Sequence, residues 1–362
     1  MTTDTRNAHP YHMHEAILAQ PDAFARVIER NQDAVEEFAS RTASCGRVFL
    51  AGIGTSHHAA LVGEHLMRAY GGGPDVRAVH SFDLALYGPE LRPDDCLVAV
   101  SHRGAKRYTA LALEQAREKG CPTALITGDG GGGGGRADAV FRTVAQEKSS
   151  AHTVSYTTAV AVLASLAEKL GYHRGGSATL SNGLSTEKVP GALRAALETE
   201  EQVEALAREH VGRRRIWLLG GGPSGVTAVE TALKIKETSY LQAEGIPTET
   251  MLHGPFQCVE ADDLFVLIAP SGASRDRTLE TAELVEEVGA PYVVVGDETT
   301  EGRPGAAGVV RVPVVPEPFS ALGCLVPLQL LTYHLALARG TNPDTFRVDD
   351  PRFARADVSA RL

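Results

Sequence analysis

Arg47-Val-Phe-Leu-Ala-Gly-Ile-Gly-Thr-Ser56 returns 168 residues later as Arg215-Ile-Trp-Leu-Leu-Gly-Gly-Gly-Pro-Ser224. At the same offset Asp94-Asp-Cys-Leu-Val-Ala-Val-Ser101 returns as Asp262-Asp-Leu-Phe-Val-Leu-Ile-Ala269, and Gly104 matches Gly272. Each copy reads as a buried strand running into a glycine-rich turn that opens a helix. Such a junction offers backbone N–H groups and the positive end of a helix dipole to an anion. Two copies in one chain point to an α/β fold made twice, with a cleft for a small phosphorylated ligand.

Around these anchors the chain alternates apolar strands with helices, the pattern of parallel sheets covered on both faces. In the first copy the strands are read at Val48–Ala51, Val76–Val79, Cys96–Val100, Thr123–Ile126 and Val140–Val144, with a helix over Tyr108–Lys119. In the second they are read at Ile216–Leu219, Leu264–Ala269, Tyr292–Val295 and Val309–Val315, before a long helix over Ala321–Ala338. A three-to-four-residue apolar period between His14 and Ser44 predicts one or two amphipathic helices. The Gly- and Ser-rich stretch His173–Lys188 reads as a linker, and the glycine run Gly130–Gly135 as a flexible surface loop.

Composition limits the function. The chain has 362 residues, enough for two ordinary domains, and 43% of them are apolar. A net charge of −10 argues against nucleic acid, which requires a basic face. No apolar run approaches the roughly 18 residues of a membrane helix, and the N-terminus lacks a secretory core. A membrane partner is therefore not expected. Cys45, Cys96, Cys121, Cys258 and Cys324 lack any CxxC spacing and read as buried, reduced thiols of a cytoplasmic protein.

Two groups of residues could carry chemistry. In the loop Ser101-His-Arg-Gly-Ala-Lys-Arg107, the cations Arg103, Lys106 and Arg107 are read into the first helical turn, where the helix dipole disfavours them. An anion held by Ser101 and backbone N–H groups would relieve that conflict. Thr55 and Ser56, in the neighbouring loop, become candidate ligand donors, whereas His57 and His58 read as loop or packing residues. In the second copy Glu230, Lys234 and Glu237 share a helix face by spacings of four and three. His253 follows in a Gly-Pro-bounded loop. A carboxylate and a histidine near a phosphate site can move a proton beside a carbonyl.

At these residues the chain resembles the sugar isomerase (SIS) domain family, in particular the tandem-SIS isomerase half of the glucosamine-6-phosphate synthase type. The likeness runs through Glu15-Ala-Ile-Leu-Ala-Gln-Pro21, Gly54-Thr-Ser56, Val229-Glu-Thr-Ala-Leu-Lys-Ile-Lys-Glu-Thr-Ser-Tyr-Leu-Gln-Ala-Glu244, His253-Gly-Pro255 and Val326-Pro-Leu-Gln-Leu-Leu-Thr-Tyr-His334. It implies two tandem SIS domains, each an α/β/α, flavodoxin-like parallel sheet. The expected division is an N-terminal helical segment (1–45), a phosphosugar-binding domain (46–185), a catalytic domain (190–340) and a tail closing over the site (341–362).

The resemblance further implies that Ser56 and Ser101 bind the sugar phosphate, and that Glu237 shuttles a proton between C1 and C2. It implies that His253 opens the sugar ring in the site of a neighbouring subunit, so a homodimer is expected. Thr55, His102, Arg103, Lys106, His152 and Thr153 complete the expected substrate-binding set, and Lys234 joins Glu237 and His253 in the catalytic set. The implied activity is aldose–ketose isomerisation of a sugar phosphate or similar anionic sugar through a cis-enediol or enolamine. Amino-sugar-phosphate deamination and non-catalytic sensing are the alternatives. Neither metal nor cofactor is expected.

Three departures from the family pattern stand out. The phosphate loop, Ser-x-Ser-Gly-x-Thr in the family, reads Ser101-His-Arg103-Gly-Ala-Lys106 here. The stretch Ser149-Ser-Ala-His152-Thr-Val154 lacks the family's lysine. No lysine follows Lys236, so a lysine from the tail cannot act on the sugar. With no glutaminase residues in the sequence, glutamine-dependent amination by this chain alone is not expected.

Overall fold

The computed structural model describes residues 5–176 and 187–356. Most of the expected linker, and the last six residues of the expected tail, lie outside the described residues. The chain opens with α1 (His12–Leu18), α2 (Gln20–Thr42), β1 (Arg47–Gly52), α3 (Thr55–Tyr70), β2 (Asp75–His80) and α4 (Ser81–Tyr87). It continues with β3 (Asp95–Val100), α5 (Arg107–Glu118), β4 (Thr123–Asp129), β5 (Ala139–Ala145), α6 (Val154–His173), α7 (Val189–Leu197) and α8 (Glu200–His210). The second repeat holds β6 (Ile216–Gly220), α9 (Pro223–Ser239), β7 (Ala243–Pro247), α10 (Thr248–Leu252), β8 (Leu264–Ile268) and α11 (Arg275–Val288). It ends with β9 (Tyr292–Asp297), β10 (Gly308–Val312), α12 (Glu317–Gly323), α13 (Leu325–Ala338) and α14 (Pro351–Ala356).

These elements build two five-stranded parallel sheets of the same topology, β2-β1-β3-β4-β5 and β7-β6-β8-β9-β10. The central strands β3, β6, β8 and β9 are buried along their whole length, as expected of strands covered on both faces. In the first sheet α4 and α5 pack on the face of Phe49, Leu97 and Leu125. Leu50 points to the opposite face, against Leu163 of α6 across Gly63 of α3. In the second sheet α10 and α11 cover Trp217, Phe265 and Tyr292, and α9 packs with α13.

The repeat extends to polar contacts. Arg47 holds the buried carboxylate of Asp95 with two bonds of 2.6 Å and lies over Phe49. Arg215 lies over Trp217 and pairs with Asp263, which also accepts the indole N–H at 2.9 Å.

The described residues form two compact units. Of the described residues, the first-repeat unit comprises 20–147, 154–176, 187–190 and 347–356, and the second-repeat unit comprises 5–19, 148–153 and 191–346. Asp344 ties the ends of the second unit together. Its carboxylate accepts the N–H groups of His12 and Met13 at 2.8 Å each and so caps the start of α1. Its carbonyl accepts the N–H of Ser150.

Several local expectations need correction. β7 is not read from the sequence because Ala243-Glu-Gly-Ile-Pro247 is short and carries no apolar run. α5 begins at Arg107, so Arg103 and Lys106 precede the helix and only Arg107 lies in its first turn. The expected long helix is broken at Cys324 into α12 and α13. Together Glu317–Ala338 is long and apolar enough to cross a membrane, contrary to the reading of the sequence, but it is a core segment, mostly buried inside the protein. Four cysteines are buried and free, whereas Cys258 is exposed.

Candidate functional site

In the first-repeat unit the loops after β1 and β3 leave neighbouring parallel strands at their carboxyl ends, where α/β sheets bind ligands. Ser101 ends β3 with only 3% of its surface exposed, and its Oγ has no hydrogen-bond partner. A buried hydroxyl without a partner is costly unless a ligand completes it. The amides of Arg103 and Ala105 also meet no hydrogen-bond acceptor among the described residues. Thr55 and Ser56, both half-buried, open α3 beside this loop.

The cations are unequal. Arg103 is exposed, and Lys106 is half-buried immediately before α5. Burial, with Arg103 nearby, lowers the pKa of Lys106. Neither forms an ion pair among the described residues. His102 has a different position from its loop neighbours. Burial first, and the charge of Arg103 second, push its pKa down to about 4. At neutral pH the ring is therefore uncharged, and its Nε2 accepts the N–H of Glu147 at 3.2 Å. His102 anchors the loop to the chain beyond β5.

The glycine run is not the free loop expected from its composition. The N–H of Gly128 bonds the carbonyl of His102 at 2.9 Å, and that of Gly132 bonds the carbonyl of Arg103 at 3.0 Å. Thr127 and Gln146 donate to the same His102 carbonyl. The backbones meet so closely that a methyl on Gly104 (φ +68°) would stand 1.9 Å from the Gly132 oxygen. One on Gly133 would stand 2.3 Å from the Gly104 oxygen. Glycine is required here for backbone-on-backbone contact, and the run fixes the carbonyl side of the loop Ser101–Lys106. Gly133→Ala is therefore expected to raise the KM for a phosphorylated substrate about tenfold with kcat little changed, by displacing the loop. Gly135, where a methyl meets nothing within 4 Å, supplies the control. Steady-state kinetics of the two variants checks this, and equal KM values would remove the bracing role.

In the second-repeat unit α9 carries Glu230, Lys234 and Glu237 on one face, as their spacing predicts. Lys234 is 1% exposed. Its Nζ lies 2.6 Å from Glu237 Oε2 and 3.6 Å from Oε1 of the fully buried Glu230. The short contact is a hydrogen bond donated by the Lys234 ammonium to the Glu237 carboxyl. Glu237 retains partial exposure (22% of its side chain), so it is the member of the triad open to a ligand. Spacing identified Lys234 as a neighbour. Only the fold shows it buried between two acids.

His253 follows α10 and is 74% exposed. Its imidazole meets Glu249 at 3.2 Å, and Arg277 binds the same carboxylate. His152 is half-buried and Thr153 buried in the segment Lys148–Thr153, which clusters with the second-repeat unit. Among the described residues no group of three or more His, Cys, Asp or Glu is arranged to hold a metal ion.

The SIS domain family matches residues 42–169 and 211–339, the two repeats. The glutamine–fructose-6-phosphate aminotransferase (isomerizing) of Pyrococcus horikoshii is 31% identical over 341 residues, covering 94% of this chain and 57% of that protein. The same-named protein of Thermococcus kodakarensis is 33% identical over 343 residues, covering 93% and 56%. The chain thus spans little more than half the length of these relatives. Among solved structures, the C-terminal domain of the glucosamine-fructose-6-phosphate aminotransferase from Francisella tularensis superposes with a TM-score of 0.84. The superposition covers 94% of this chain and 99% of that one at 21% identity.

Proposed function

Because the chain belongs to the SIS domain family, with that domain present twice, we propose that it is a sugar-phosphate aldose–ketose isomerase. The observation that carries this reading is the α9 triad, in which the buried Lys234 side chain bonds the partly exposed Glu237 carboxyl at 2.6 Å and so fixes its position. Isomerisation requires one base to take the proton α to a carbonyl and return it to the adjacent carbon. Glu237 performs both transfers in this reading, through a cis-enediol intermediate. The curated relatives bear names of enzymes acting on fructose 6-phosphate with isomerisation, which supports the same substrate class.

The loop Ser101–Lys106, with Thr55 and Ser56, binds the phosphate. Its unpartnered Ser101 hydroxyl and unpaired amides are suited to an oxyanion, and Arg103 and Lys106 add positive charge where the family pattern has hydroxyls. His102 supports the loop. His152 and Thr153 are assigned to substrate contact on the family likeness alone. His253 assists ring opening. Its exposure suits a residue offered to a neighbouring subunit, so the active form in this reading is a homodimer. Proton transfer between adjacent carbons uses no amide donor, and the reaction is accordingly read as independent of glutamine. Five free cysteines fit a reducing cytoplasm.

Incubation with a panel of hexose 6-phosphates in heavy water tests the proposal. Deuterium should enter at C2 with interconversion of aldose and ketose. A phosphosugar that binds, with no exchange seen for any member of the panel, would overturn the enzyme reading in favour of a sensor.

A further inference from the structure

The two repeats differ at the loop that leaves the second strand of each copy. β1 and β6 pair with β3 and β8 in the same register, since Arg47 meets Asp95 and Ile216 meets Leu264. The next pairing differs by one residue: Leu97 meets Thr123, a spacing of 26, whereas Phe265 meets Tyr292, a spacing of 27. Ser101 N–H to Ile126 O and Ala269 N–H to Val295 O repeat that shift. So does the turn after each strand, Gly131 N–H to Gly128 O and Thr300 N–H to Asp297 O. By position in the fold, Asp297 therefore corresponds to Gly128, and Ser271 and Ala273 correspond to Arg103 and Ala105.

At the amides that the first repeat leaves unpaired, the second repeat has acceptors. The N–H of Ser271 donates to Asp297 Oδ2 at 2.5 Å, and that of Ala273 donates to Glu317 Oε1 at 2.8 Å. Asp297 is 2% exposed. Its Oδ1 also accepts Thr299 N–H at 3.0 Å, Thr299 Oγ1 at 2.6 Å and Arg275 Nη2 at 2.9 Å. The same Arg275 nitrogen reaches Ser271 Oγ at 2.6 Å as well as the Thr299 hydroxyl, and its Nε is buried without a partner. Burial raises the Asp297 pKa, but the bonds from Ser271 and Thr299 outweigh it and hold the carboxyl below its ordinary range. A guanidinium, two hydroxyls and two amides around one buried carboxylate are the donor set of an oxyanion site.

We propose that the loop Ala269–Arg275 is a second anion-binding loop closed by the protein's own carboxylate, Asp297, and that removing this side chain opens it to a free oxyanion such as inorganic phosphate. Asp297→Gly reproduces the glycine that the first repeat has at the corresponding position. In the second repeat Asp297 takes the Ser271 amide and Glu317 the Ala273 amide, whereas in the first repeat the corresponding amides of Arg103 and Ala105 meet no acceptor among the described residues.

Calorimetric titration with inorganic phosphate tests this on the full chain. D297G should bind one more phosphate per chain than the unaltered protein, and Arg275→Met in the same background should lose the extra site. A folded D297G with unchanged stoichiometry overturns the proposal. Asp297→Ala covers the case in which D297G does not fold, because it removes the carboxylate that fills the loop without the added backbone freedom of glycine. Its melting temperature should rise in millimolar phosphate beyond the rise of the unaltered protein, and should not do so in chloride of equal ionic strength. An identical phosphate response in both proteins refutes the closed-site reading. All of these readouts are binding or stability, so they stand or fall apart from the isomerase assignment.

Discussion

Glu237→Gln should reduce turnover about 10³-fold while leaving phosphosugar affinity within about tenfold, or ~1.4 kcal/mol. The amide keeps the shape of the side chain, and its oxygen still accepts from Lys234, which also retains Glu230 at 3.6 Å. What is lost is the ability to take a proton from carbon. The loop proposed to bind the phosphate lies after β3, on other residues, so ground-state affinity has no reason to collapse. Measured kcat and calorimetric Kd separate the two effects. A variant whose kcat stays within tenfold of the unaltered protein removes Glu237 from proton transfer, and equal losses in kcat and affinity would make it a binding residue.

Much of this arrangement is legible in the sequence because the strands are buried on both faces and so appear as unbroken apolar runs. The repeat of Arg47-Val-Phe in Arg215-Ile-Trp even anticipates a shared ion pair, Arg47–Asp95 and Arg215–Asp263. The limit lies in using a constant offset. An offset of 168 aligns Asp129 with Asp297, two aspartates at strand ends, and hides their difference. The sheet register instead aligns Asp297 with Gly128, and Asp129 pairs with Arg30 of α2. One extra residue between β8 and β9 is invisible to composition but decides which loop contains a carboxylate. The glycine run misleads for a related reason. Local propensity describes Gly130–Gly135 as free chain, whereas close backbone approach to Arg103 and Gly104 is a tertiary requirement that only glycine meets. Asp344, more than 300 positions from the helix it caps, carries no local signal either.

Lys234→Met should destabilise the protein by about 3–5 kcal/mol, because it leaves the Glu230 carboxylate, with no exposed surface, without its ammonium partner. Methionine fills nearly the same volume, so the loss reports charge rather than a cavity. The double variant Glu230→Gln with Lys234→Met removes both members of the buried pair and should recover roughly 2 kcal/mol of that loss. Activity should not return with stability, since Glu237 would still lack the Lys234 contact at 2.6 Å that positions it. Urea unfolding and kcat, measured on the single and double variants, separate structural pairing from the functional contact. If the single variant lost less than about 1 kcal/mol, the buried pair would not be what stabilises α9. If the double variant regained both stability and turnover, Lys234 would act only through Glu230, and the short contact to Glu237 would be without consequence for the proton it is proposed to move.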